Sequence, residues 1–168
     1  SALGHVSPYI VRGDESVSTK SELEVLHVGE DHALGHFHEI LVSVFPSRVT
    51  IDILDRTHEA HHALARSYPN GTATLALIGS GIPVVTGATR ARAAEVGRLS
   101  PRTMRGECLV MHGHGFWMAT ARTALRAIRL ASHAVHPQTT CATIDEGARW
   151  ITGQVGRPPA DSARPAKR

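Results

Sequence analysis

The side chains best equipped for chemistry in this chain are its histidines, twelve in 168 residues. His58-Glu59-Ala60-His61-His62 fits the HExxH pattern literally. On a helix, His58 and His62 share a face and could hold zinc, with Glu59 as the general base on a bound water. Zinc takes three or four ligands, and no HxxGxxH extension follows to complete the set. The residues before His58, Leu54-Asp55-Arg56-Thr57, are mostly polar where the metalloprotease pattern wants apolar ones. The adopted reading is the polar face of a crossover helix in water, with zinc at His58 and His62 as the alternative.

Two further pairs alternate: His36 with His38, and His112 with His114. In a strand, alternate residues point to one face, so either pair could form a two-ligand arm. No cysteine or acid is spaced to complete either set. Two glycine-rich segments follow apolar runs: Gly79-Ser80-Gly81, and His112-Gly113-His114-Gly115. Each leads towards the start of a helix, where free backbone N–H groups favour anions. The plain reading is that these glycines let the chain turn from strand to helix; the functional reading is a small anion pocket with Arg90, Arg102 or Arg105 as counter-charges, or a site of modification at Ser80 or Thr86. Neither segment carries a GxxxxGK[ST] or GxGxxG fingerprint. A nucleophile elbow is excluded at Ser80, because GxSxG would need glycine where Ile78 stands. The acid pairs Glu30-Asp31 and Asp145-Glu146 read as loop and helix-start charges.

These residues need a scaffold, and the hydrophobic pattern predicts one. Residues 23–28 and 38–45 read as strands joined across Gly29 to Gly35 as a hairpin. A helical stripe occupies 48–69 and stops at Pro69-Asn70-Gly71. TATLALIG (72–79) is a continuous apolar strand, as expected when both faces are buried. A helix follows over 86–99 with Thr86 as N-cap, then a strand over 107–113. Residues 114–135 form the clearest helix, with Trp117, Leu125 and Ile128 on one face and Arg122, Arg126 and Arg129 on the other. A strand at 139–144 and a helix at 145–155 close the pattern. The order β-β-α-β-α-β-α-β-α demands parallel neighbours and right-handed crossovers. The expected fold is α/β: a single mixed, mostly parallel sheet of about five strands, flanked by helices.

The folded part is expected to span 21–155, between a loose arm at 1–20 and a disordered basic tail at 156–168. Hydrophobic residues make up 42% and charged residues 20%, which excludes wholesale disorder. The net charge is +3, but no run of five Lys or Arg occurs and aromatics are only 4%, so nucleic acid is not the expected partner. No apolar run is long enough to span a bilayer and no signal peptide is visible, which points to the cytoplasm. Cys108 and Cys141 both lie in apolar stretches and read as buried free thiols in a reducing compartment.

The segment from His112 through Gly113, His114, Gly115, Phe116 and Trp117 to Leu125 resembles a diverged STAS-like domain of the anti-anti-sigma factor group. It has a buried strand, a glycine-rich turn, then an aromatic pair opening an alanine-rich helix. The resemblance covers about residues 21–155. It implies a mixed sheet with helices and a regulatory, protein-binding role of the bacterial signalling type, without catalysis or cofactor. In anti-anti-sigma members a Ser or Thr opening the helix after a central strand is phosphorylated by a partner kinase. The nearest positions here are Ser80 and Thr86. The Asp that precedes the acceptor in that family is absent from Ile78-Gly79-Ser80-Gly81, which points to an adaptor that does not switch. The expected partner is therefore a protein, with a small anion at Gly79, Ser80, Gly81, Thr86, His112, His114 and Gly115 as the competing ligand and self-association left open.

Overall fold

A computed structural model of the chain describes residues 23–79, 86–111 and 116–156. Six strands form one sheet in the order of the sequence, β1 to β6. They are β1 (Glu24–Val28), β2 (Ala33–Phe37), β3 (Ile40–Phe45), β4 (Thr72–Ile78), β5 (Met104–Met111) and β6 (Gln138–Cys141). The first three form an antiparallel meander, and β3 to β6 run parallel. Four helices accompany them: α1 (Ile51–Ser67), α2 (Gly87–Arg98), α3 (Phe116–Ser132) and α4 (Ile144–Val155). The expected mixed, mostly parallel sheet is present, with one strand more than expected. Among the described residues, no helix is long and apolar enough to cross a membrane.

The additional strand is β2, which lies largely within Gly29 to Gly35, the stretch expected to be a connection. Gly35 disguises it, having low strand propensity. Its neighbour explains its presence: a β-carbon on Gly35 would stand 2.7 Å from the Glu24 carbonyl oxygen, so only glycine lets β1 come this close. The tight turn falls instead at His38, at φ 52°, between β2 and β3.

Side-chain alternation divides the core into two layers. Phe45, Ala76, Ile78 and Met111 face α1 and α3 and pack with Ile53 and Leu125. Ala73, Leu75, Cys108 and Val110 face the other way and pack under Ile151 and Trp150 of α4. α2 lies against both α1 and α3. Hydroxyl caps set the helix starts: Thr50, Thr86 and Thr143 each accept a backbone N–H, from Ile53, Thr89 and Glu146 at 3.2 to 3.3 Å. Ile144, expected in the last strand, is the first residue of α4, because the Thr143 cap starts the helix there.

Candidate functional site: a cleft between the sheet and the helix layer

A cleft of about 1260 Å³ lies between the sheet and the layer of α1, α2 and α3. Its origin is legible in residue sizes. The floor carries Ser43, Thr74 and Ala76, and the inner side of α2 offers Thr89, Ala93 and Gly97. None of these is long enough to fill the gap between a crossover helix and a sheet. α2 is instead held against α3 by a close approach: a β-carbon on Gly97 would meet the Ser132 Cβ at 2.7 Å.

Leu109, Met111, Leu125 and Ile128 supply apolar wall. Five arginines line the cleft, Arg90, Arg122, Arg126, Arg129 and Arg149, against two acids, Glu107 and Glu146, so its field is cationic. The exposed lining residues Arg126, Arg129, Thr140 and Arg149 put the mouth along β6, the edge strand. Arg129 donates to the Gln138 carbonyl at 3.0 Å and Arg149 to the Asp145 carbonyl at 3.2 Å. No carboxylate among the described residues lies within ion-pair distance of Arg122 or Arg126. The arginines of α3 were expected on the face opposite Leu125. They flank the same stripe, because Arg122 and Arg129 lie three and four residues from Leu125.

Polar groups on the floor and in the core beneath it are mostly tied to one another. Gln138 donates its amide N–H to Glu107 Oε2 at 2.6 Å, and His136 Nε2 stands 3.7 Å from the same oxygen. His61 Nε2 and Thr72 Oγ1 are 2.9 Å apart, with Thr72 fully buried. His32 Nε2 and Ser43 Oγ are 3.0 Å apart, with Ser43 fully buried. A hydroxyl beside an imidazole is the first half of a nucleophilic triad. The second half is not found among the described residues, where His32 Nδ1 has no hydrogen-bond partner to orient the ring. Burial pushes the His61 pKa down to about 4, and burial followed by the nearby His27 lowers that of His32. One floor hydroxyl stands apart. Thr74 Oγ1 is buried, faces the cleft and has no partner among the described residues.

Among the described residues, the HExxH histidines do not belong to a three-ligand set. His58 and His62 share a face, their rings edge to face at 4.4 Å, but His62 Nε2 is 3.0 Å from the Leu99 carbonyl oxygen. His61, expected on a polar face in water, is buried, since this side of α1 packs on β4. Burial, then His62, lowers the His58 pKa. His36 and His38 make no ligand arm, because His38 sits in the turn and His36 Nδ1 lies 3.0 Å from its carbonyl oxygen. Among the described residues no group of three His, Cys, Asp or Glu could hold a metal.

Of the glycine-loop residues, Gly79 is described: it ends β4 and donates its N–H to the Phe45 carbonyl at 2.8 Å. Ser80, Gly81, His112, His114 and Gly115 lie outside the described residues. Thr86 caps α2 and is exposed, its hydroxyl 2.9 Å from that of Thr89. The cleft residues Thr74, Glu107, Arg122 and Arg126 escaped sequence reasoning. An apolar run such as Thr72–Ile78 does not reveal which neighbours its alternate residues meet; that depends on register across strands far apart in sequence. Comparison with family models, curated proteins and solved structures found no match.

Proposed function

We propose that this chain is a non-enzymatic regulatory module that acts by binding a protein partner, as its resemblance to STAS-like domains implies. The observation that carries the reading is the position of Thr86: an exposed hydroxyl opening α2, the helix that follows the inner strand β4. In the resembling family a hydroxyl opening this helix is phosphorylated by a partner kinase, and Ser80 and Thr86 are the nearest positions here; without the family's preceding Asp, Thr86 is read as a contact position of an adaptor that does not switch. Two features make it suit a contact surface. The surrounding tip is small and exposed, with Gly87, Ala88 and Arg90 all accessible. A phosphate or carboxylate added there would meet the positive end of the α2 dipole, so charge can be introduced without unfolding the helix. The imidazole–hydroxyl pairs in the core fit a binding role, because each is buried and bonded within itself. A cytoplasmic location belongs to this reading.

Affinity capture with wild type, Thr86→Asp and Arg90→Glu tests it. Asp is as good an N-cap as Thr, so Thr86→Asp changes the charge while keeping α2. Partner recovery is expected to fall at least tenfold with one or both variants, at unchanged far-UV circular dichroism. A turnover activity lost on substitution of Glu107 or Ser43 would contradict the reading.

A further inference from the structure

The cleft has properties that a partner-binding tip does not require. Its volume of about 1260 Å³ exceeds the roughly 300–1000 Å³ usual for small-molecule pockets. A bare inorganic anion would leave most of that space as water against the apolar side chains of Leu109, Met111, Leu125 and Ile128. A neutral apolar ligand would leave the cationic rim unused. At the floor, Thr74 is only 6% exposed, and its buried hydroxyl has no partner among the described residues. Burying a hydroxyl without a partner costs on the order of 1–3 kcal/mol, and a group entering the cleft would relieve that cost.

We infer that the cleft binds an amphipathic anion, its apolar body between the sheet and the α2–α3 pair and its head at Arg122 and Arg126. These two arginines lie one helical turn apart on α3, so both guanidinium groups can reach one carboxylate or phosphate. Both are exposed and line the cleft, and no carboxylate among the described residues competes for them. Arg129, the next arginine along, is turned to the Gln138 carbonyl and fastens α3 to β6 beside the mouth. The apolar part then covers Ala76, Leu109 and Ile128, and the Thr74 hydroxyl gains a partner in a polar group of the ligand or in water carried in with it. The ligand class is an acyl-chain or similarly long apolar carboxylate or phosphate monoester. Thr86 does not line the cleft, although its neighbours Thr89 and Arg90 do; the variants below leave that tip untouched, so their outcome is independent of the partner reading.

Calorimetric titration of the full chain with four probes tests the inference: decanoate, decyl phosphate, inorganic phosphate and decanol, each below its micellar concentration. One decanoate or one decyl phosphate is expected to bind per chain, and the tighter of the two identifies the head group. Inorganic phosphate and decanol are each expected to bind at least tenfold more weakly. The double variant Arg122→Glu/Arg126→Glu is expected to weaken the amphiphile at least tenfold, while Arg122→Lys/Arg126→Lys retains most of the affinity. Ala93→Trp, on the half-buried inner side of α2, is expected to fill the cleft and abolish binding at an unchanged circular dichroism spectrum. The inference is overturned if neither amphiphile binds, if decanol or inorganic phosphate binds as tightly as the better amphiphile, or if charge reversal leaves the affinity as it was.

Discussion

Cys108 and Cys141 hold their sulfurs 3.6 Å apart on the neighbouring parallel strands β5 and β6, as two free thiols. The two differ in surroundings. Cys108 is fully buried under α4, and burial, followed by the hydrogen bond to Cys141, pushes its thiol up to about 12. Cys141 is on the edge strand and half-buried. Since the thiolate is the nucleophile, Cys108 is expected to be inert. Iodoacetamide on the native chain should therefore label one thiol, Cys141, and label Cys108 only after unfolding in urea. Equal labelling rates, read by peptide mass spectrometry, would show that β5 is not shielded.

The histidines of the core make stability depend on pH. His61 has a folded pKa of about 4 against an ordinary value of 6.5. The folded state therefore favours the neutral ring, and as the pH falls below 6.5 the unfolded chain takes up the proton first. This contribution is present in full above pH 6.5, lost progressively towards pH 4, and on the order of 3 kcal/mol. His32 and His58 shift in the same direction. Urea midpoints should fall between pH 7.5 and pH 4.5, and His61→Asn should flatten the curve by removing its largest component. A midpoint that holds steady or rises on acidification would refute the burial of His61.

Two glycines of α4 make a matched pair. A β-carbon on Gly147 would meet Val110 Cγ2 at 2.7 Å and Leu75 Cδ1 at 3.1 Å, whereas one on Gly153 would meet nothing within 4 Å. Alanine normally gains up to about 1 kcal/mol over glycine inside a helix. Gly153→Ala should realise that gain as a higher melting temperature. Gly147→Ala should instead destabilise by about 1–2 kcal/mol, because overpacking the core outweighs the propensity.

Thr86 is also a structural cap, and its two roles can be separated. Thr86→Ala should cost about 1 kcal/mol of stability through loss of the N–H acceptor for Thr89. Thr86→Asp should keep the cap. Equal melting temperatures for the two variants would mean that the cap contributes nothing measurable.

The layout of the sheet was legible because β4 and β5 are long apolar runs separated by helical stripes, a pattern that physics reads in one way. Helix starts were nearly legible, since hydroxyl caps announce themselves at Thr86. β2 was not, because Gly35 and His36 carry little strand propensity and the strand is fixed by its neighbours. The candidate site was hidden for a different reason. Thr74, Glu107 and Arg126 come together through strand register and helix rotation, and no spacing in the chain records either. At the HExxH match, what spacing did not reveal was burial. Its spacing is right, but α1 turns His61 into the core and leaves the His58 and His62 rings edge to face.

The proposed partner surface is the end of the α1–α3 layer that carries Thr86. Hydrogen–deuterium exchange on the chain, alone and with its captured partner, tests this most directly. Slower exchange over residues 86–98, with α4 unchanged, is the predicted result. Protection confined to α4 or to the β1 edge, with 86–98 exchanging as in the free chain, would contradict the account.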